Sequence, residues 1–422
     1  MKVDLERFTK PCPCGHEHKI TVKGVWIEPG AVNRLDELLA GYAHPVILCD
    51  GNTKKAAEKS MRKYFETLEV LEVTGEDIHA NDIYVDQVQA ALTGEADILI
   101  AVGSGTIHDL TRYVAYQRGL NFISVPTAAS VDGFVSSVAA MTWHGMKKTL
   151  TAVAPMCVLA DTDIFSGAPF RLTASGISDL MGKYTALLDW KVCHIVTGEY
   201  FCETVYELEL EAVKEVESLL DQIRTGEPEC MEKLMYALIL SGLAMQMIGN
   251  SRPASGAEHH VSHLWEMEII NDYIDALHGE KVSIGLILCL EYYEKIREAI
   301  ERGTCRIVDG RAYETELLEQ TFGARGKYQD ALEENDPNIM ADLDLADLER
   351  KLPLIAEELA KLPGSQDMEK LLSDAGCVTR MEELKIPQDL KDLTLRLCPY
   401  VRRRLTLLRL SKNFVFPGCL GK

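Results

Sequence analysis

From residue 24 to about 162 the chain alternates short, β-rich apolar runs with amphipathic helical stretches. Residues 44–49 (His-Pro-Val-Ile-Leu-Cys) read as a buried strand, followed by the turn Asp50-Gly51-Asn52-Thr53 and a helix of Lys, Ala and Glu through residue 66. Residues 68–73 predict a strand, 85–92 a helix, and 98–102 the most apolar strand of the series. Gly103-Ser104-Gly105-Thr106 then opens a helix over 107–117, and 121–125 form a further strand. Strands alternating with helices at this spacing predict a parallel, doubly wound sheet. Beyond about residue 163 the β signal fades. The stretches 174–190, 202–222, 229–248, 257–270, 280–301, 345–361 and 397–410 carry Leu, Ile, Met and Ala at helical spacing. Residues 303–345 are polar and acidic, as surface helices and loops are. The expected fold is therefore an α/β, Rossmann-like doubly wound domain over 1–163, followed by an all-α domain over 164–422.

Composition narrows the function. With 47% hydrophobic and 26% charged residues over 422 positions, the chain is an ordinary globular one with material for large cores. The formal charge of −21 argues against nucleic acid, since a polyanion is bound by clustered Lys and Arg that displace its counterions. No apolar run is expected to span a bilayer. The N-terminal Met-Lys-Val-Asp-Leu-Glu-Arg has no apolar signal core, so a cytoplasmic location is expected. Twelve scattered cysteines form no disulfide framework and fit a reducing compartment.

Several segments carry candidate chemistry. The 97–106 strand runs into a glycine turn at a helix start, where backbone amides and the helix N-terminus suit a pyrophosphate. It lacks the third glycine of the dinucleotide fingerprint, and such turns also occur without a ligand. Asp50 closes a strand, where a carboxylate binds a ribose hydroxyl and repels a 2′-phosphate, or simply forms the turn. The segment Val125-Pro-Thr127-Ala-Ala-Ser130-Val-Asp132-Gly-Phe-Val-Ser136 follows an apolar strand, where open α/β sheets place ligand-lining loops. Four of the eleven histidines, His259, His260, His263 and His278, fall within residues 251–285. His259 and His263 lie one helical turn apart on one face, and His278 is spaced to fold back on them. Asp179, expected in the first turn of the first strong helix of the second domain, complements a helix dipole or completes an Asp, His, His set with an open position for substrate. Cys12, Cys14, His16 and His18 alternate near the N-terminus and would share a face if extended, but no second cysteine pair completes a zinc-ribbon spacing. They are read as an exposed terminal segment.

Taken together, Gly-Ser-Gly-Thr-Ile (103–107), Pro-Thr-Ala-Ala-Ser-Val-Asp-Gly (126–133), Asp-Leu-Met-Gly-Lys-Tyr-Thr-Ala (179–186), Ser-Arg-Pro-Ala-Ser-Gly-Ala-Glu-His (251–259) and His-Gly-Glu-Lys-Val (278–282) resemble the iron-containing alcohol dehydrogenase and glycerol dehydrogenase group, most closely its sn-glycerol-1-phosphate dehydrogenase branch. The resemblance covers roughly residues 20–290. It implies an NAD(H)- or NADP(H)-dependent oxidoreductase of glycerophospholipid metabolism, acting on a phosphorylated triose or glycerol, with one divalent metal, Zn2+ or Ni2+, and a homodimeric assembly. By the same likeness, Asp179, His259 and His278 hold the metal, and Asp132, Asp179 and His263 touch substrate. Asp50, Gly103, Ser104, Gly105, Thr106, Ile107, Thr127, Ala128, Ala129, Ser130 and Ser136 bind the nucleotide. His260 points about 100° away from its neighbour on a helix and is read as structural. Arg252 and Lys183 are the nearby basic residues for a substrate phosphate, or else ion-pair partners. The alternatives are a polyol dehydrogenase that needs no phosphate and a cyclase resembling dehydroquinate synthase.

Overall fold

A computed structural model describes residues 1–92 and 94–420. The chain divides into two compact units, Met1–Leu180 with Glu207–Ser251, and Met181–Tyr206 with Arg252–Lys422. The sequence-based division at residue 163 runs inside the first unit. That unit also keeps the later helix Pro228–Ile248, which packs on the sheet's edge strand and on the Gly133–Val135 turn.

The first unit is built on a six-stranded parallel sheet. Its strands are β1 (Gly24–Glu28), β2 (Pro45–Asp50), β3 (Glu69–Val73), β4 (Ile98–Gly103), β5 (Asn121–Pro126) and, after the β6–β7 hairpin (Val138–Trp143 and Met146–Thr151), β8 (Cys157–Asp161). The sheet order is β1-β8-β5-β4-β2-β3, with all neighbours parallel. The longer helices that connect the strands are α1 (Gly51–Thr67), α2 (Asp82–Ala91) and α3 (Gly105–Arg118). Alternate residues of β2 and β4 feed opposite cores. Val46, Leu48, Leu99 and Ala101 pack with α2 and α3, whereas Ile47, Cys49, Ile98, Ile100 and Val102 pack with α1. Strands buried on both faces read as continuous apolar runs, which is why β4 is the plainest strand in the sequence. The helices leaving β2 and β4 thus lie on opposite faces, and the switch point between those two strand ends is where open α/β sheets bind ligands.

Further along the chain come α4 (Phe170–Met181), α5 (Lys183–Thr197, in the second unit) and α6 (Glu203–Glu217). The single helix expected over 174–190 is interrupted at Gly182. The next is α7 (Pro228–Ile248), which is long and apolar enough to cross a membrane, contrary to the expectation of no such run. Most of its apolar length is buried inside the protein, which accounts for the composition.

The second unit is mostly helical. It contains α8 (Ala257–Glu266), α9 (His278–Glu301), α10 (Leu345–Leu359) and α11 (Ser365–Asp374), with α9 packed against α8, α10 and α11. Among the described residues it departs from all-α in one small feature, an antiparallel pairing of Arg306–Ile307 with Phe414–Val415. The helix expected over 397–410 is instead a 3-10 turn, Cys398–Tyr400, an irregular stretch, and one helical turn, Leu407–Leu410. Pro399 removes a backbone donor and disfavours helical geometry in the residue before it.

Candidate active site

In the first unit the expected nucleotide residues gather at the carboxyl ends of β2, β4 and β5. Gly103 ends β4 opposite Pro126 of β5, and the Thr127 amide donates to the Gly103 carbonyl at 2.9 Å. A side chain at Gly103 would collide with Ile107, its Cβ only 2.4 Å from that of Ile107, so the turn into α3 admits glycine alone. His108 fixes the same turn. Its Nδ1 donates to the Ser104 carbonyl at 2.9 Å and its Nε2 accepts from the Ser124 hydroxyl at 2.7 Å. Burial, helped by the Arg112 guanidinium, lowers the His108 pKa to about 3, so the ring is neutral and keeps this tautomer. Asp50 is the N-cap of α1. Its Oδ1 accepts from the amides of Asn52 and Thr53 at 2.8 and 2.9 Å, and Thr53 answers from its hydroxyl, completing a capping box. The turn-forming role is therefore real, and Oδ2 takes no part in it.

The loop after β5 is clamped from three sides. The buried Arg112 donates to the carbonyls of Ser136 and Val138, both at 3.1 Å, and to that of Gly133. Helix α4 lies directly on the loop, since a Cβ at Gly176 would stand 2.0 Å from the Ala129 carbonyl oxygen. Asp179 in that helix accepts from the Asp132 amide at 3.0 Å, and Ser241 of α7 donates to the Asp132 carboxylate at 3.0 Å. Ser136 closes on its own chain through Val138. The Ser130 hydroxyl is buried with no hydrogen-bond partner among the described residues, which suits a ligand group in that place.

In the second unit the histidines converge. Ring centroids of His259 and His278 are 5.1 Å apart, those of His263 and His278 5.7 Å, and those of His259 and His263 6.1 Å. Each outer ring is held by a carboxylate that sequence reasoning missed. His259 donates from Nδ1 to Glu258 at 2.8 Å, and His278 from Nδ1 to Glu266 at 3.0 Å. Binding through Nδ1 sets the tautomer and presents Nε2, the arrangement that metal-ligating imidazoles use. Glu258 is fully buried and also accepts from the Thr185 hydroxyl at 2.6 Å and the Gly256 amide. Burial raises its pKa, but the hydrogen bonds from His259, Thr185 and Gly256 outweigh that and leave it below the usual value. His263, Glu266 and His278 offer ligand atoms within 4.8 Å of one another, so a cation fits here by donor chemistry. Glu266 is already engaged by His278, Lys281 and Ser262, which marks it as an orienting carboxylate.

Close backbone approach makes this geometry possible. A Cβ at Gly285 of α9 would sit 2.5 Å from the Glu258 carbonyl oxygen, and one at Gly256 would sit 2.7 Å from Ala186 Cα. Asp189 ties the region together, accepting from the amides of Ala257 and Leu407 and from the Tyr293 hydroxyl, at 2.8, 2.8 and 2.9 Å. Of the two basic residues expected near a substrate phosphate, Lys183 is buried, and Arg252 is committed elsewhere. Arg252 meets both oxygens of Glu199, at 2.5 and 2.6 Å, and donates to the Leu405 carbonyl at 2.7 Å. His260 is wholly buried, and neither ring nitrogen has a hydrogen-bond partner among the described residues. Burial, with the charges of Arg404 and Arg402 nearby, drives its pKa well below the usual value and keeps it neutral.

Residues 26–169 match the family described as "Iron-containing alcohol dehydrogenase". A protein of Bacillus licheniformis named glycerol-1-phosphate dehydrogenase [NAD(P)+] is 33% identical over 423 residues, covering 97% of this chain and 94% of the relative. The namesake protein of Geobacillus thermodenitrificans is 37% identical over 303 residues, 69% of this chain and 75% of its own. Among solved structures, an NADH-dependent butanol dehydrogenase from Thermotoga maritima matches with a TM-score of 0.62 at 13% identity, over 93% of this chain and 94% of that one. A probable glycerol dehydrogenase from Sinorhizobium meliloti matches with 0.60 at 17%, over 92% and 91%. The structural matches speak for the fold, and the sequence relatives, one of them matched over nearly the whole length, decide the rest: the chain belongs to the iron-containing alcohol dehydrogenase family, in its glycerol-1-phosphate dehydrogenase branch.

Proposed function

We propose that the chain interconverts dihydroxyacetone phosphate and sn-glycerol 1-phosphate with NAD(P)H. The observation that carries this reading is the 33% identity, over 97% of the chain, to a relative named for that activity. The histidine geometry supports it. Asp179, His259 and His278 hold one divalent ion, Zn2+ or Ni2+, with Glu258 and Glu266 fixing the two imidazoles from outside. When bound, the ion supplies Lewis acidity to the secondary hydroxyl or the carbonyl, and the nicotinamide supplies or takes up the hydride.

The remaining work falls to the protein. His263, one turn from His259, orients the substrate hydroxyl and passes its proton, as a neutral imidazole does near pH 7. Asp132 binds a second substrate hydroxyl, its carboxylate steadied by Ser241. Asp50 offers Oδ2 to a ribose hydroxyl while Oδ1 caps α1, which favours NAD over NADP. Gly103 to Ile107 take the pyrophosphate on backbone amides, and Thr127 to Ser130 with Ser136 line the rest of the nucleotide site, the buried Ser130 hydroxyl among them. A homodimer belongs to the same reading and rests on the resemblance, and a cytoplasmic location fits the scattered cysteines.

The engagement of Arg252 by Glu199 is the one observation that favours a substrate without phosphate, because it removes one of the two cations expected there. NADH oxidation by purified protein, with dihydroxyacetone phosphate and with dihydroxyacetone, tests both readings. Turnover of the phosphorylated substrate that chelator abolishes and Zn2+ or Ni2+ restores is expected. Turnover of dihydroxyacetone alone would transfer the assignment to a polyol dehydrogenase, and no net NADH consumption with either would point to the cyclase.

A further inference from the structure

The active site leaves one donor-rich segment of the first unit unused. Residues 11–18 read Pro-Cys-Pro-Cys-Gly-His-Glu-His, and they are not extended as the alternating pattern suggested. The Gly15 amide closes a turn onto the Cys12 carbonyl at 3.0 Å, with Gly15 at φ +80°, a conformation that glycine adopts without strain. The turn places Cys12 and Cys14 with His18, each offering a ligand atom within 4.8 Å of the others, whereas His16 stays exposed and outside the group.

The imidazole of His18 is the informative part. It is buried between two exposed neighbours, Glu17 and Lys19. Its Nδ1 lies 2.8 Å from the Met247 carbonyl oxygen, which only accepts, so the proton sits on Nδ1 and Nε2 carries the lone pair. That Nε2 faces Cys14 Sγ at 3.5 Å. A thiolate 2.3 Å and an imidazole about 2.05 Å from a tetrahedral zinc ion stand about 3.6 Å apart, so the observed separation is that of two ligands of one ion. A backbone carbonyl on the far ring nitrogen is likewise how zinc-binding histidines are oriented. The segment is also anchored. The amide and hydroxyl of Thr21 both donate to Gln246 Oε1, at 2.8 and 3.1 Å, one residue before Met247 in the last turn of α7.

We propose that Cys12, Cys14 and His18 bind a structural zinc ion that fastens the N-terminal segment to the end of α7. Binding releases the two thiol protons to solvent, and His18 coordinates through the Nε2 lone pair. The three donors are the first unit's own and share no residue with the histidine trio of the second unit.

Metal analysis of the full chain, purified without a histidine tag, tests this. Cys12→Ser with Cys14→Ser is expected to lower zinc by one equivalent per chain, while His259→Ala with His278→Ala keeps that equivalent. Cobalt substitution is expected to give thiolate-to-metal charge-transfer absorption in the parent protein, lost in Cys14→Ser. Should the double cysteine variant fail to fold, alkylation of the parent protein decides: Cys12 and Cys14 are expected to resist reagent until chelator is added. Unchanged zinc in a folded cysteine variant, or equal labelling of both thiols with and without chelator, overturns the proposal. Neither result depends on which substrate the enzyme turns over.

Discussion

Glu258 and His259 are sequence neighbours on α8 that bond to each other, the imidazole Nδ1 donating to a carboxylate that is wholly buried. Consecutive residues on a helix point about 100° apart, so the pair meets only because Thr185 and the Gly256 amide hold the carboxylate at the helix start. Replacing one carboxylate oxygen by an amide keeps the shape and removes the charge that raises the basicity of His259. Glu258→Gln is expected to weaken divalent metal binding about 10- to 100-fold, the range seen for such outer partners. Titration of the metal-free protein with Zn2+ or Ni2+ measures it, and an affinity within twofold of the parent would remove Glu258 from this role.

Gly176 offers a test of how α4 shapes the nucleotide loop. Alanine in a helix is worth about 1 kcal/mol over glycine. Against that gain stands a Cβ 2.0 Å from the Ala129 carbonyl oxygen, a backbone atom that yields only if the loop moves. Overpacking of this kind costs about 1–3 kcal/mol. Gly176→Ala is expected to lower the melting temperature and to raise KM for NADH more than KM for the second substrate. A variant with unchanged cofactor KM would show that the loop's position does not matter to nucleotide binding.

These two sites also show what could be read from the chain before folding. The central sheet strands were legible because both their faces are buried, so β4 appears as an unbroken apolar run from Ile98 to Val102. His259 and His263 were legible through their spacing of four. Glu258 and Glu266 were not, because a carboxylate on an amphipathic helix is normally solvated, and no local pattern announces the tertiary packing, with Thr185 and the close approach at Gly256, that encloses the Glu258 carboxylate. Arg112 carries no sequence signal of its role, and it is buried and spends its donors on loop carbonyls more than 20 positions away. The β6–β7 hairpin escaped notice because its two-residue turn is His144-Gly145, with His144 at φ +50° where Asn or Asp is the usual signal. Strands β1 and β8 pair across more than 120 residues, a contact that no local pattern announces.

The pH response of the first unit should carry the signature of His108. Its folded pKa is depressed to about 3, against about 6.5 in an unfolded chain. A depressed pKa stabilises fully above the unfolded value, and that stability is lost as pH falls from about 6.5 towards 3. The slope approaches 1.4 kcal/mol per pH unit, so the loss between pH 6.5 and 5 is about 2 kcal/mol from this residue. In His108→Gln the amide can still donate to Ser104 and accept from Ser124, and the variant does not titrate in that range. Denaturant unfolding at pH 7, 6 and 5 is expected to show the parent losing stability faster than the variant, and parallel curves would contradict the assignment.

Arg252 separates structural from substrate-binding cations. Its guanidinium meets both oxygens of Glu199 and the Leu405 carbonyl, a fork-to-fork geometry that leaves the group spent on the fold. Truncation would leave the Leu405 carbonyl and a half-buried carboxylate without their partner, at a cost of about 1–3 kcal/mol. Loss of a phosphate ligand would instead raise KM for dihydroxyacetone phosphate and leave turnover of unphosphorylated substrates alone. Arg252→Met is accordingly expected to lower the melting temperature by several degrees while changing KM for dihydroxyacetone phosphate less than threefold. A tenfold or greater rise in that KM, in a variant of unaltered stability, would return Arg252 to the substrate site and place its pairing with Glu199 among the contacts that substrate must break.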